Sequence, residues 1–341
     1  MKSVNIILMG FGNVGRAFLQ ILLEKKSLCR ERFGLGFRVH AIFKRAGALF
    51  SPQSLEIEAI LGKLSSQVFE GLPWKPNLKL KDVLGAIPPG VLVECTSSNI
   101  KTGEPGLSVI RRALENRWNV VTANKGPLVV DYKDLMQLAR QNQVHLKLSG
   151  ATAAALPTLD VGFYSLAGAE ILGIEGILNG TTNFILTKMG EGADYEAALK
   201  EAQAKGIAEP DPSLDVEGWD TASKILLISN AILGTDLVLS DVKVQGITQV
   251  PASLIPKTKK EGKSLKLLGR LYKEENNFRI EVVLVALDNS HPLFAVRGAN
   301  KGIVFDTDTM GSVVVTGGKS DPKAAGAALL KDIINIYRED M

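Results

Sequence analysis

A short apolar run, Val4-Asn-Ile-Ile-Leu-Met9, leads directly into Gly10-Phe-Gly12-Asn-Val-Gly15, and Arg16 to Leu23 then reads as a helix. This arrangement restricts the fold strongly, because a buried strand must turn sharply into a helix at the place where side chains are missing. The first glycine makes the tight turn. The second lets backbone N–H groups approach a pyrophosphate, and the third lets helix and strand pack closely. The stretch predicts a dinucleotide-binding unit, with Gly10, Phe11, Gly12, Asn13, Val14 and Gly15 as cofactor contacts.

The following segments extend that unit. Phe37 to Phe43 is a second strand, closed by Lys44-Arg45. An acidic residue there would bond the ribose hydroxyls of NAD, yet none occurs from Phe37 to Leu55. Two cations in its place suit a 2′-phosphate, so NADP is expected in preference to NAD. Ser51 to Leu64 is read as a helix with its connection, and the Pro-rich stretch Gly71 to Pro76 as a loop. Val91 to Cys95 is a buried strand ending in Thr96-Ser97, small hydroxylated residues suited to the cofactor crevice. Lys125 follows the strand Val120 to Thr122 and is a functional candidate at its tip. With helices at Leu107–Asn116 and Asp134–Gln141 and a last strand at Val144–Leu148, residues 1–150 read as a doubly wound parallel sheet. Glu24 to Gly36, with four basic residues, reads as a surface loop.

A run of small residues, Ser149 to Ala155, marks the change to a second, α+β domain over 151–316. Its expected elements are a strand at Glu170–Leu178, a turn at Asn179-Gly-Thr-Thr-Asn183, and helices at Phe184–Glu191 and Tyr195–Lys205. Five β-rich stretches follow: Lys243–Ile247, Phe278–Leu287, Leu293–Val296, Gly302–Phe305 and Ser312–Val315. They suit two antiparallel hairpins with a polar face. The C-terminal segment 317–341 is read as a helix that packs back on the first domain.

Between these parts lies Gly206 to Lys224, rich in carboxylates. Pro210 and Pro212 forbid regular helix at its start. From about Val216 the apolar spacing turns helical, which puts Asp220 and Lys224 one turn apart on one face, with Glu209 on the loop before it. A carboxylate beside a lysine suits gripping an ammonium group and moving a proton.

Composition excludes several classes. The net charge is +4 with Lys and Glu interspersed, so nothing demands nucleic acid. Two cysteines exclude a disulfide scaffold and a Cys-rich zinc site, and the three histidines lie far apart. No targeting signal or membrane span is visible, so a cytoplasmic protein is expected. Cys95, inside its strand, is read as buried and inert.

Taken together, Gly10–Gly15, Thr122-Ala-Asn-Lys-Gly126, Ile177-Leu-Asn-Gly-Thr-Thr-Asn-Phe-Ile185 and the spaced Glu209, Asp215, Gly218, Asp220, Lys224 pattern resemble homoserine dehydrogenase over nearly the whole chain. The resemblance implies a Rossmann-type domain, a catalytic and dimerisation domain, and a homodimer. It also implies nicotinamide-dependent interconversion of L-homoserine and L-aspartate 4-semialdehyde, in threonine and methionine biosynthesis. By the same likeness Lys224, Lys125 and Asp220 are catalytic, and Glu209, Asp215, Asp220, Lys125, Asn179, Gly180 and Thr181 hold substrate. Lys125, Thr96, Ser97 and Gly317 join the cofactor contacts.

The chain departs from the family pattern in four places. Ser149 stands where relatives often have a Glu that, with neighbouring carbonyls, binds a monovalent cation. No tight metal site is therefore expected, only a weak one at the Thr152 and Ala154 carbonyls. Ile207 replaces a common Tyr, Thr316-Gly-Gly-Lys-Ser-Asp321 lacks the usual Gly-Ala-Gly, and no length remains after this region for a regulatory domain. The rival readings are a related oxidoreductase with shifted small amino- or hydroxy-aldehyde specificity, and a non-catalytic cofactor sensor. An acylating semialdehyde dehydrogenase is disfavoured, because neither Cys29 nor Cys95 suits a nucleophile.

Overall fold

The computed structural model describes residues 1–63, 71–251, 254–274 and 277–339. The chain forms two compact units, Met1–Ala155 with Asp321–Met341, and Leu156–Ser320.

In the first unit β1 (Lys2–Met9) turns into α1 (Asn13–Glu24), and α2 (Lys26–Phe33) leads to β2 (Leu35–Lys44). Next come β3 (Gly47–Phe50), α3 (Ile57–Gly62), β4 (Trp74–Pro76), α4 (Leu80–Leu84) and β5 (Val91–Glu94). The unit continues with α5 (Gly106–Glu115), β6 (Asn119–Thr122), α6 (Lys125–Gln141), β7 (Leu146–Lys147) and α7 (Ser149–Thr152). The strands form one sheet in the order β4-β3-β2-β1-β5-β6-β7, parallel from β2 through β7. β1 is central because its side chains are apolar on both faces, as a strand covered by helices on both sides requires. Ile6, Ile7 and Leu8 are fully buried.

Three expectations in this unit are corrected. The basic segment after Glu24 is a helix, not a loop. It carries no apolar period, but Cys29 anchors it in the core, Arg30 and Arg32 suit the negative end of its dipole, and Gly34 closes it at φ 62°. Gly71–Pro76 is not all loop, since Trp74–Pro76 forms an edge strand beside β3, where a proline is tolerated. The helix expected at Ser51–Leu64 shrinks to Ile57–Gly62, and Leu64 lies outside the described residues.

The second unit begins with α8 (Thr158–Asp160) and β8 (Ile171–Ile177), followed by α9 (Gly180–Glu191) and α10 (Tyr195–Ala204). After α11 (Ser213–Val216) and α12 (Trp219–Leu233) come β9 (Lys243–Val244), α13 (Leu254–Lys260), β10 (Ser264–Glu274) and β11 (Asn277–Leu287). The hairpin β12 (Lys301–Thr307) and β13 (Ser312–Gly317) completes it. The sheet order is β13-β12-β8-β10-β11-β9. Two antiparallel hairpins flank β8: β12–β13 joins two of the expected stretches, whereas β11 pairs with β10, a strand outside them. A Cβ on Gly269 of β10 would sit 3.0 Å from Ile225 and 3.1 Å from Thr221, so the glycine lets α12 lie close against the sheet.

Here too the sequence misleads in places. Leu293–Val296 is a turn, closed by bonds from Phe294 N–H to His291 O and from Val296 N–H to Leu293 O. Strand β10 is unexpected, because Lys266 interrupts its apolar run, yet Lys266 is buried. The helix read from Val216 is two helices, broken at Gly218, whose φ of 90° and 2.7 Å approach to Gln245 O exclude a side chain. The last helix, α14 (Pro322–Glu339), belongs to the first unit and packs on α1, where Gly326 lies against the Phe18 backbone.

Candidate active site

The first unit gathers its candidates at the carboxyl ends of β1, β2, β5 and β6. A Cβ on Gly10 would lie 2.6 Å from Cys95 O, and one on Gly15 would lie 2.3 Å from Gly10 O, so the turn admits only glycine at both positions. A Cβ on Gly12 would meet nothing, and the first turn of α1 has no side-chain cap. Its N–H groups are thus open to an anion. Arg16, over the Phe11 ring at 5.4 Å, has a buried Nε without a hydrogen-bond partner. A phosphate fits these residues chemically. Lys44 and Arg45 stand exposed at the end of β2, and Ser97 is exposed just past β5.

Lys125 opens α6, and Asn124 caps that helix by accepting from Gly126 N–H at 3.0 Å. Asn124 is held in turn, donating to Thr96 Oγ1 at 3.3 Å and to Ser97 O at 3.4 Å. Beneath this lies Glu94, which is 0% exposed. Its carboxylate accepts from Thr96 N–H at 2.8 Å, from the Thr96 hydroxyl, and from the Thr122 hydroxyl at 3.0 Å. Burial raises the Glu94 pKa, opposed by the bonds from Thr96, Thr122 and Asn124. Sequence reasoning does not single out Glu94 and Asn124 as functional residues; the available signal is one acid directly after the apolar run Val91–Val93, inside the strand. Cys95 lies one residue past β5 and is half-buried. Burial, then the Glu94 carboxylate, pushes its thiol well above its ordinary value, which disfavours the thiolate that a nucleophile needs.

In the second unit, Asn179-Gly-Thr-Thr-Asn183 is not a turn but the start of α9, because the Asn179 side chain caps it, accepting from Thr182 N–H at 2.8 Å. That bond fixes the amide, and its NH2 reaches two carboxylates, Asp215 at 2.7 Å and Asp220 at 2.8 Å. Lys224 donates to Asp220 at 2.6 Å and to Leu178 O at 2.9 Å. The Lys224 and Asp220 side chains are 16% and 7% exposed, so the predicted i,i+4 pair is largely buried. Burial, then the charge of Asp220, raises the Asp215 pKa, while Lys224 lowers it. Thr181 donates to Ile207 O at 3.0 Å.

Asn179, Thr181, Asp215, Asp220 and Lys224 are therefore neighbours, and Gly180 opens α9 directly after Asn179. Glu209 is exposed, and among the described residues its carboxylate makes no hydrogen bond or ion pair with the cluster. Gly317, with φ 115°, ends β13.

The residues present do not fit a tight monovalent cation at 149–154. Ser149 Oγ donates to Asp332 at 2.7 Å and accepts from Lys331 Nζ at 2.9 Å, so a positive charge is already there. The Ser149 carbonyl accepts from the Thr152 hydroxyl at 3.1 Å. Thr152 is buried, and Ala154 takes a φ of 52°. Among the described residues no cluster of His, Cys, Asp and Glu could hold a metal ion. No helix there is long and apolar enough to cross a membrane.

Comparison with known proteins agrees along the whole chain. The family model described as homoserine dehydrogenase matches residues 157–334, and that of the homoserine dehydrogenase NAD binding domain matches residues 10–149. A homoserine dehydrogenase of Methanocaldococcus jannaschii is 38% identical over 337 residues, covering 98% of each chain. An NAD(+)-dependent homoserine dehydrogenase of Pseudomonas canavaninivorans is 32% identical, covering 99% of this chain and 97% of that one. The crystal structure of homoserine dehydrogenase from Thermoplasma acidophilum superposes with a TM-score of 0.83 at 27% identity, over 99% of this chain and 100% of that one.

Proposed function

We propose, from the premise that the chain belongs to the homoserine dehydrogenase family, that the cluster of Asn179, Asp215, Asp220 and Lys224 holds L-homoserine and L-aspartate 4-semialdehyde and manages the proton of their interconversion. The enzyme is an NAD(P)-dependent oxidoreductase acting on CH–OH. The observation carrying the reading is the Asp220–Lys224 bond of 2.6 Å in a largely buried setting.

The bound nicotinamide supplies or accepts the hydride. The protein's own groups do the rest. An ammonium has three N–H donors, and two of those on Lys224 are engaged by Asp220 and Leu178 O. The third is available to the substrate oxygen, giving a proton as an aldehyde becomes an alcohol and taking it back in reverse. Asp220 anchors the lysine. Asp215 offers an anionic partner for the substrate ammonium, and Asn179 holds the two carboxylates together on one amide. Glu209, exposed on its loop, is a second ammonium partner. Gly180 and Thr181 shape the site's floor. In the first unit, Lys125, at the start of α6 beside the Asn124 cap, is the second lysine of this reading. Gly10–Gly15 and Arg16 would hold the pyrophosphate, Thr96 and Ser97 would line the cofactor crevice, and Lys44 and Arg45 would favour NADP over NAD. Gly317 remains a cofactor contact by resemblance alone.

A homodimer through the sheet of the second unit agrees with Leu172 and Val314 being 42% and 40% exposed there. Light scattering of the purified protein tests it. The function is tested by homoserine-dependent reduction of NADP and of NAD at alkaline pH, with threonine and serine as controls. Reduction with homoserine alone is expected. No reduction in protein that binds NADPH would move the reading to a relative with shifted specificity, with Ile207 the first position to examine.

A further inference from the structure

The second unit contains a cavity of about 250 Å³ against the C-terminal half of α9. Its apolar lining comes from Leu186, Ile255, Leu265 and Phe294. Its charges are mostly positive: Lys259, Lys263 and Arg297. Lys263 pairs with the exposed Glu261 at 3.1 Å, whereas among the described residues Lys259 and Arg297 have no carboxylate partner. Glu191, the acid at the rim, is held by Lys188 at 3.0 Å. Deeper on the same face of β10, two residues on from Ser264, lies the buried ammonium of Lys266. A small chamber with four apolar side chains, hydroxyls of Thr187, Thr258 and Ser264, and a surplus of cations suits one kind of guest: an apolar body ending in a carboxylate.

The cavity wall is also tied to the substrate cluster by a continuous set of contacts. Thr187 lines the cavity; its hydroxyl donates to Asn183 O at 2.7 Å and accepts from Gly298 N–H at 3.1 Å. The Asn183 amide donates to Val296 O at 3.3 Å and Asn300 O at 3.0 Å, and its oxygen accepts from Lys266 at 3.0 Å. At the far end of this segment, Ala299 O sits where a Cβ on Gly180 would be 2.8 Å away. Gly180 adjoins Asn179, whose amide holds Asp215 and Asp220. Residues 294–300 thus touch the cavity at one end and the first turn of α9 at the other.

We propose that this cavity is a binding site for a small apolar-bodied carboxylate, and that filling it changes the affinity of the substrate cluster for homoserine. The coupling rests on the reading of that cluster as the substrate site; the binding does not. Isothermal titration of the full chain with 4-methylpentanoate, L-leucine and inorganic phosphate separates body, ammonium and bare charge. 4-Methylpentanoate is expected to bind saturably with a Kd of about 1 mM or tighter. Phosphate binds more weakly here, and L-leucine reports whether Glu191 accepts an ammonium. Arg297→Met, at an exposed position, should weaken binding about tenfold or more without shifting the unfolding midpoint, and Lys259→Met should add to it. Saturating ligand should change the homoserine KM of the wild type but not of Arg297→Met, and should leave the NADPH Kd unchanged. Absence of saturable heat, binding that Arg297→Met leaves intact, or a KM effect that survives in Arg297→Met overturns the proposal. The last result marks plain competition at the substrate cluster. Arg297-dependent binding in a protein that fails to oxidise homoserine supports the site and faults the functional reading instead.

Discussion

Replacing Lys224 by Met separates two roles of one side chain. The ammonium pairs with Asp220 at 2.6 Å, and the two side chains are 16% and 7% exposed. Loss of a proton donor lowers turnover by about 10²–10⁴, or roughly 2.7–5.4 kcal/mol of transition-state stabilisation. Loss of a cation from a buried pair costs about 3–5 kcal/mol of folding stability, because the surviving carboxylate is left uncompensated. Asp220 then keeps the Asn179 amide as a donor at 2.8 Å, with Asp215 on the same amide at 2.7 Å. Adding Asp220→Asn to Lys224→Met removes that charge and should return most of the stability. It should return none of the turnover, because the proton donor is still missing. Urea unfolding and initial rates on the four proteins of this cycle test both halves, with NADPH fluorescence confirming that the cofactor still binds. Turnover within tenfold of wild type in Lys224→Met, or turnover regained in the double variant, would refute the role given to Lys224.

Changing Lys44 and Arg45 to Ser should raise the Kd for NADP far more than that for NAD; equal changes would mean that neither reads the 2′-phosphate. Because Lys331 already supplies a positive charge at Ser149, rates in choline buffer should match those in K⁺ or Na⁺; strong alkali-metal activation would contradict this. Glu94→Leu strands the Thr96 and Thr122 donors and should cost about 3 kcal/mol in urea unfolding, Glu94→Gln about 1 kcal/mol; equal costs would show that the acceptors do not matter. Burial, then Arg297, lowers the Lys266 pKa from 10.5 to about 8. Between those values the unfolded chain holds a proton that the folded one has released, so this group makes stability rise with pH from about 8 to 10.5. Lys266→Met should abolish that rise, and an unchanged slope would rule the group out.

What could be read in advance follows from where the information resides. The glycine turn, its flanking elements and the parallel strands β1, β5 and β6 were legible because their constraints are local: glycine where no Cβ fits, and apolar runs where both faces are covered. The Asp220–Lys224 pair was legible for the same reason, since helical period alone puts the two side chains together. Helix α2 and strand β10 were not, because tertiary burial overrides their composition. One has a single core residue, Cys29, amid charges, and the other hides a lysine whose partners, Asn183 and Val296, lie far away in sequence.

The same distinction explains the site. Asn179 was read as part of a turn, although an asparagine before a run of helix formers is also a cap. Its larger role, holding Asp215 and Asp220 on one amide, depends on contacts 36 and 41 residues away that no local pattern encodes. Glu94 makes the point more sharply. A carboxylate within Val91–Val93's run violates the rule that such strands are apolar, and the violation was itself the signal. A fully buried charge persists only where its surroundings satisfy it, and Glu94 is satisfied by Thr96 and Thr122, the residues that also fix Asn124 and the start of α6. A local conflict in the sequence is thus a pointer to the site: Glu94 holds Thr96, which fixes the Asn124 cap before Lys125, and Lys266 bonds the segment that reaches Gly180.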